Sequence, residues 1–238
     1  MRILTYNIDW ARKQKSKTHI RKIEELLLST NADIVVITES VDSLELQDYP
    51  FVFKTNQIPV NISYEGINYT EYLNGEIAIR VAIYSKYGCI KSYPVKDATT
   101  SMCKSFITEI GSVTFYATII GTRFNVKPYA EQELANCIAD CIHISNLTDD
   151  LCIVGDLNTS FIEAEIHHEI KGIKSRKALI KLCEICGVDL TTKEIEQNID
   201  HILVSNKIVT SHRIEHNVFI DKDVLSDHKG ILIDIFKK

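Results

Sequence analysis

"CIVGDLNTS", residues 152–160, runs from three apolar residues into glycine, acid, amide and hydroxyl groups. Cys152, Ile153 and Val154 suit a strand buried on both faces, whereas Gly155, Asp156, Asn158, Thr159 and Ser160 favour a turn or a helix cap. Taken alone, the stretch is a turn leaving a strand. Four others end the same way: "YNIDW" at 6–10, "ITES" at 37–40, "IDHILVS" at 199–205 and "LSDHKG" at 225–230. Each sets Asp, Asn, Glu or His beside an apolar strand, and such edges converge when neighbouring strands finish on one face of a sheet system.

The surrounding pattern supplies those strands. Residues 2–9 read as a strand, "KTHIRKIEELLLSTN" puts Ile20, Ile23, Leu26 and Leu27 on one helical face, and 33–38 is a second strand ending at Glu39. A parallel crossover joins them economically. The middle is strand-rich near 50–54, 77–84, 89–93, 104–109 and 112–120, with Gly111–Ser112 as a hairpin turn. A helix is expected from about 128 to 146, where Ala130, Leu134, Cys137, Ile138, Cys141 and Ile142 recur at helical spacing. Strand 151–155, helical regions at 161–170 and 174–186, strand 200–205, a basic and histidine-containing segment, and strand 230–236 follow. Helices between separate strand groups predict two packed sheets covered by helices, rather than a simple doubly wound sheet.

With 238 residues, 45% of them hydrophobic, and no Pro/Gly/Ser-rich linker, the expectation is one domain spanning 1–238. "MRILTYNIDW" is strand-like rather than a basic leader, and no apolar run reaches membrane-spanning length, so a soluble, cytoplasmic protein without membrane insertion is expected. Seven cysteines are an odd number, and neither Cys137/Cys141 nor Cys183/Cys186 has the second pair or histidines of a zinc pattern. Buried free thiols in a reducing compartment fit them better. His143, His167, His168, His212 and His216 likewise form no compact zinc pattern with nearby acids.

A formal charge of −5 argues against an extended nonspecific nucleic-acid surface but leaves room for a local phosphate patch. Arg12, Lys13, Lys15, Lys17, Arg21 and Lys22 follow directly on Asn7 and Asp9, and Lys171, Lys174, Arg176, Lys177 and Lys181 form a later group. Solvated helix and loop faces explain such groups equally well. Protein partners and oligomeric state are not legible, because a helix-covered core and a subunit contact give the same periodicity.

Asn7 and Asp9 are two apart, as are Asp156 and Asn158, so each pair points to one side of an extended chain. A carboxylate placed this way engages a cation or water while the amide orients phosphate or water. Asp200 and Asp227 add oxygen ligands or supports for histidine, and His228 offers a proton-bearing nitrogen to an anionic oxygen. These groups suit phosphate-ester hydrolysis at a hard-metal site, with Mg²⁺ and its waters among oxygen ligands. Singly, each has a plain structural role open to it: Asn7 as a strand-end hydrogen-bonder, Asp9 as a surface acid, Glu39 as a helix-start acid, Asp227 as a turn acid, His201 as a strand-side histidine.

As an ordered set, "YNIDW", "ITES", "GDLN", "IDHILVS" and "SDHKG" resemble the endonuclease/exonuclease/phosphatase superfamily, the DNase-I-like metallo-phosphoesterases, from Asn7 to His228. The resemblance implies a four-layer α-β-β-α sandwich with two central mixed or antiparallel sheets and the active centre at their edge. It implies Glu39 as metal ligand, with Asn7, Asp9 and Asp227 in the metal region. Asp156 would position or deprotonate water, Asn158 would orient water or phosphate, and Asp200 would hold the ring of His228 against a phosphate oxygen. The chemistry implied is in-line attack of water on phosphorus with Mg²⁺, for which Mn²⁺ can substitute.

One departure stands out. Many members carry a histidine where this chain has "TIIGTRFN", residues 118–125, and Arg123 or Thr122 is left there to contact phosphate. Substrate contacts are expected from Asn7, Arg12, Arg80 and Arg123, with the tyrosine-bearing loop 61–86 setting selectivity. Phosphodiester cleavage in DNA or RNA is the leading expectation. A phosphatase acting on phosphoinositides or another small phosphate ester is the first alternative, and a catalytically silent phosphate-binding module the second.

Overall fold

The computed structural model describes residues 1–9, 17–58, 63–64, 67–68, 77–121, 129–165 and 172–238. The first sheet has the order β13 (His212–Ile220), β14 (Gly230–Lys237), β1 (Arg2–Asn7), β2 (Ile34–Val41), β6 (Ala78–Ser85) and β3 (Phe51–Lys54). The second has the order β11 (Val188–Leu190), β12 (Asp200–Ser205), β10 (Leu151–Asp156), β9 (Gly111–Ile119), β8 (Ser101–Thr108) and β7 (Cys89–Tyr93). A two-stranded piece joins β4 (Ser63–Tyr64) to β5 (Ile67–Asn68). The helices among the described residues are α1 (Lys17–Ser29), α2 (Tyr129–Ser145), α3 (Gly172–Cys186) and the short α4 (Asn206–Ser211). None is long and apolar enough to cross a membrane.

The side-chain alternation of the strands builds the layers. On β1, Leu4 and Tyr6 face Ile23 and Leu27 of α1, while Ile3 faces the second sheet. On β10, Cys152 and Val154 enter the space between the sheets, while Leu151 and Ile153 join Cys137 and Cys141 of α2 and Leu179 and Leu182 of α3. Both faces of these strands are therefore covered, which is why their sequences read as continuous apolar runs. Each fully buried branched side chain contributes roughly 1.5–3 kcal/mol to this helix–sheet–sheet–helix sandwich.

β1 and β2 pair in parallel across α1, with Ile3 opposite Ile34 and Asn7 opposite Thr38, as the crossover predicts. β10 pairs in parallel with β9 and antiparallel with β12, so Asp156 at the end of β10 lies opposite Asp200 at the start of β12. The polar ends of β1, β2 and β10 thus share one edge with the start of β12.

Three local expectations change. Residues 161–165 are loop rather than helix, tied down by Arg176, which donates to Ser160 O and Glu165 O, and by Ser160 Oγ, which donates to Glu165; residues 166–170 lie outside the described set. The β8–β9 turn is at Glu109–Ile110, and Gly111 opens β9 with a φ of 110° that suits glycine. The basic, histidine-containing segment after 205 is α4 followed by β13, an edge strand whose largely exposed side chains hide the usual strand signal. All seven cysteines are free, and Cys103, Cys137, Cys141 and Cys152 are buried.

Candidate active site

Asp156 is the best-anchored acid of the shared edge. Asn7 Nδ2 donates to its Oδ2 at 3.0 Å across 149 residues of sequence, Asn158 Nδ2 donates to the same oxygen at 3.0 Å, and Asn158 N donates to Oδ1 at 2.8 Å. Asn7 Oδ1 in turn accepts from Asp9 N at 2.9 Å, and Asn158 Nδ2 also donates to Ile120 O at 2.8 Å. The amide protons of Asn158 are therefore spent on fixing Asp156 and the residue that follows β9. Burial, with Asp200 and Glu39 nearby, holds the Asp156 carboxyl well above the ordinary carboxylate range.

His228 arrives from the turn before β14. Its Nδ1 lies 2.6 Å from Asp200 Oδ2, and its backbone N donates to Ser226 Oγ at 3.2 Å. Burial alone would lower the imidazole pKa, but the charge and hydrogen bond of Asp200, with Asp156 and Glu39 behind it, push it up to about 10. The other ring nitrogen, Nε2, stands 3.8 Å from Asp227 Oδ1. Asp200 is held in turn by Asn198, which donates to its carbonyl oxygen and accepts from its amide.

Asp9, Glu39 and Asn158 have φ values of 46°, 48° and 46°. This left-handed region costs a non-glycine residue roughly 1–2 kcal/mol. β1 and β10 thus each end in a sharp turn at a polar residue, while Glu39 kinks β2 between Thr38 and Ser40, which both stay paired with β6. Gly155 makes such a turn possible on β10: at its φ of 137°, a Cβ would stand 2.0 Å from Thr118 O.

The ligand atoms of Asp156, Asp200 and His228 all lie within 4.8 Å of one another. Glu39, Asp9 and Asp227 stand outside that tight group but within its field. Burial pushes the Glu39 carboxyl up to about 7, Asp9 and Asp227 add to the rise, and His228 and Arg80 oppose it. Five carboxyl groups therefore meet at one edge, where His228 and Arg80 are the opposing charges acting on Glu39. Asp200 Oδ1 is buried without a hydrogen-bond partner among the described residues. Such an oxygen-rich concentration of negative charge fits a hard divalent cation.

Arg80 is a correction. Expected to contact substrate, it is fully buried, and its Nη1 donates to Glu133 Oε1 of α2 at 2.7 Å. The alternation around it let the residue face cleft or solvent, but the side chain is enclosed and paired with Glu133. Arg12 and Arg123 lie outside the described residues, as do residues 61, 62, 65, 66 and 69–76 of the 61–86 loop. Of the stretch without the family's histidine, Thr118, Ile119 and Ile120 are buried, and Thr118 Oγ1 bonds Ser101 Oγ at 2.7 Å.

His201 is structural, as a strand-side histidine should be. Its Nε2 meets Thr159 O at 2.9 Å, its Nδ1 meets Thr192 Oγ1 at 3.0 Å, and Phe161 stacks edge-on at 4.8 Å. Burial lowers its pKa to about 4. It pins the loop leaving Asn158 to the strand carrying Asp200. Sequence reasoning missed Glu133, Ser226 and Asn198; Asn198 and Ser226 had a local signal, since they precede Asp200 and His228 at the same two-residue spacing as the other site pairs.

Comparison with known proteins agrees with this geometry. The family model described as Endonuclease/Exonuclease/phosphatase family matches residues 4–228. Among solved structures, the chain is similar to a 3'-5' exonuclease, NExo, from Neisseria meningitidis, with a TM-score of 0.71 and 15% identity over 99% of this chain and 100% of that one. It is similar to the 3' phosphatase NExo from Neisseria bound to product DNA hairpin, at 0.71 and 14% over 99% of each. It is also similar to the endonuclease domain of TRAS1, a telomere-specific non-LTR retrotransposon, at 0.63 and 15% over 98% and 97%. A search of curated proteins found no match. With the family model spanning nearly the whole chain and the acid–histidine cluster in place at the sheet edge, the chain belongs to the endonuclease/exonuclease/phosphatase family.

Proposed function

We propose that this chain is a Mg²⁺-dependent phosphoesterase, with Mn²⁺ as a substitute, that hydrolyses phosphodiester bonds in DNA or RNA. The observation that carries this is the Asp200–His228 contact standing beside an Asp156 that three N–H donors hold in place. The Neisseria and retrotransposon structures, whose titles name exonuclease, DNA-hairpin and endonuclease activities, favour nucleic acid over a small phosphate ester.

In this mechanism Glu39, with Asp9, Asp227 and Asn7, would hold the cation. When bound, the cation supplies positive charge against the phosphate oxygens and lowers the pKa of coordinated water. Asp156, fixed by its three N–H donors, accepts the proton of the attacking water. Asn158 Oδ1 orients the same water. His228 presents its Nε2 proton to a nonbridging oxygen as negative charge builds there, while Asp200 fixes the ring and stabilises its charge. Arg12 and Arg123 are assigned to the substrate backbone from sequence.

The test is turnover of single- and double-stranded DNA, RNA and 3'-phosphorylated DNA beside phosphoinositides, each in Mg²⁺ and in Mn²⁺. Nucleic-acid turnover, lost by about 10²–10⁴-fold in His228→Ala and Glu39→Gln, is the expected result. Turnover confined to phosphoinositides would move the assignment to that class. No turnover of any substrate in either metal would leave a phosphate-binding module and sink the proposal.

A further inference from the structure

Arg80 and Glu133 form an ion pair with side chains 0% and 2% exposed. They come from opposite sides of the sandwich: Arg80 from β6 of the first sheet, Glu133 from α2, which packs on the second. Guanidinium stays charged at any accessible pH, so this burial cannot be relieved by losing a proton. Desolvating both partners costs several kcal/mol, and apolar replacement of buried pairs is often neutral or stabilising, so stability alone is a weak reason for the pair.

Its position supplies a better one. In the β2–β6 register Thr38 faces Val81 and Ser40 faces Ile79, which sets Arg80 beside Glu39. Glu39 kinks the strand there with a φ of 48°, and β2 continues beyond it to Val41. We infer that Arg80, anchored by Glu133, is a positioning residue that holds Glu39 in place to bind the divalent cation. Glu133 keeps the guanidinium fork from swinging onto Glu39 and capturing it, while the nearby positive charge draws the Glu39 carboxylate toward the wall of the site. Arg80 touches neither cation nor substrate in this arrangement. It acts through Glu39.

Resting on the cation-dependent reading above, this is tested by Mn²⁺ binding, followed by calorimetry and by electron paramagnetic resonance of free Mn²⁺, on the wild type, Arg80→Met/Glu133→Met and Glu133→Gln. The double variant replaces both charges by apolar groups. It is expected to fold, to bind Mn²⁺ at least tenfold more weakly, and to recover most of its maximal rate at saturating metal. Glu133→Gln preserves shape and frees the guanidinium to pair with Glu39, so a three- to tenfold weaker affinity is expected. Should the double variant not fold, the Glu133→Gln affinity decides. Wild-type Mn²⁺ affinity in the folded variants would overturn the role of Arg80 and leave the site assignment standing. A wild type that binds no Mn²⁺ would overturn the site assignment itself, and this inference with it.

Discussion

His228 Nδ1 and Asp200 Oδ2 are 2.6 Å apart, the tightest acid–base contact at the site, although 28 residues separate them in sequence. The backbone of Asp200 is itself fixed by its pairing opposite Asp156 and by the side chain of Asn198.

Asp200→Asn separates ring orientation from ring charge. The amide keeps the shape but loses the charge that offsets the burial of His228, so the imidazole should titrate far below about 10. Because His228 gains its partner on folding, its contribution to stability is full below pH 6.5 and is lost as pH rises through about 10. Histidine NMR on metal-free protein should therefore show a protonated ring at pH 8 in the wild type and a neutral one in Asp200→Asn. A turnover loss of about 10²–10⁴-fold should accompany it. An unchanged titration would show that Asp200 does not set the charge of His228.

Glu39→Gln should make the metal-free protein more stable. Its folded-state carboxyl is raised to about 7 from 4.5, so stability falls as pH rises between those values. At pH 8 the amide should gain up to about 3 kcal/mol, and the gain should vanish below about pH 4.5. Mg²⁺ at 100 times its Kd should stabilise the wild type by about 2.7 kcal/mol and the variant much less. Denaturation midpoints with and without Mg²⁺ check both halves.

Gly155→Ala and Gly187→Ala form a matched pair. Both glycines have positive φ, but a Cβ at Gly155 meets Thr118 O at 2.0 Å while one at Gly187 meets nothing within 4 Å. The second substitution should cost only the backbone term of about 1 kcal/mol, the first about 3 kcal/mol or more together with displacement of Asp156. Equal destabilisation in urea would contradict the close β9–β10 approach.

His201 has the opposite pH signature to His228. Buried and neutral, it titrates at about 4 when folded and 6.5 when unfolded, so the unfolded chain takes up the proton first and stability drops as pH falls from 6.5 to about 4. The shift corresponds to about 3 kcal/mol. His201→Gln should be less stable at pH 7 but should show a shallower loss over that range. Parallel stability–pH curves for the two proteins would rule out His201 as the titrating group.

Local chemistry determined much of this protein from the sequence. The apolar runs of β1, β2, β10 and β12, the helical spacing of α1 and α2, and the polar residues closing each strand are properties of short segments, and they were enough to indicate two helix-covered sheets and a candidate set of acids and one histidine. β13 escaped because an exposed edge strand needs no apolar alternation, and Arg80 escaped because burial of a charge depends on a partner 53 residues away. Only the tertiary structure decided which residues meet. Asn7 reaches Asp156, Asp200 faces Asp156 and clasps His228, and Glu133 closes over Arg80 because strand order and register, not spacing along the chain, bring these distant groups within hydrogen-bonding distance.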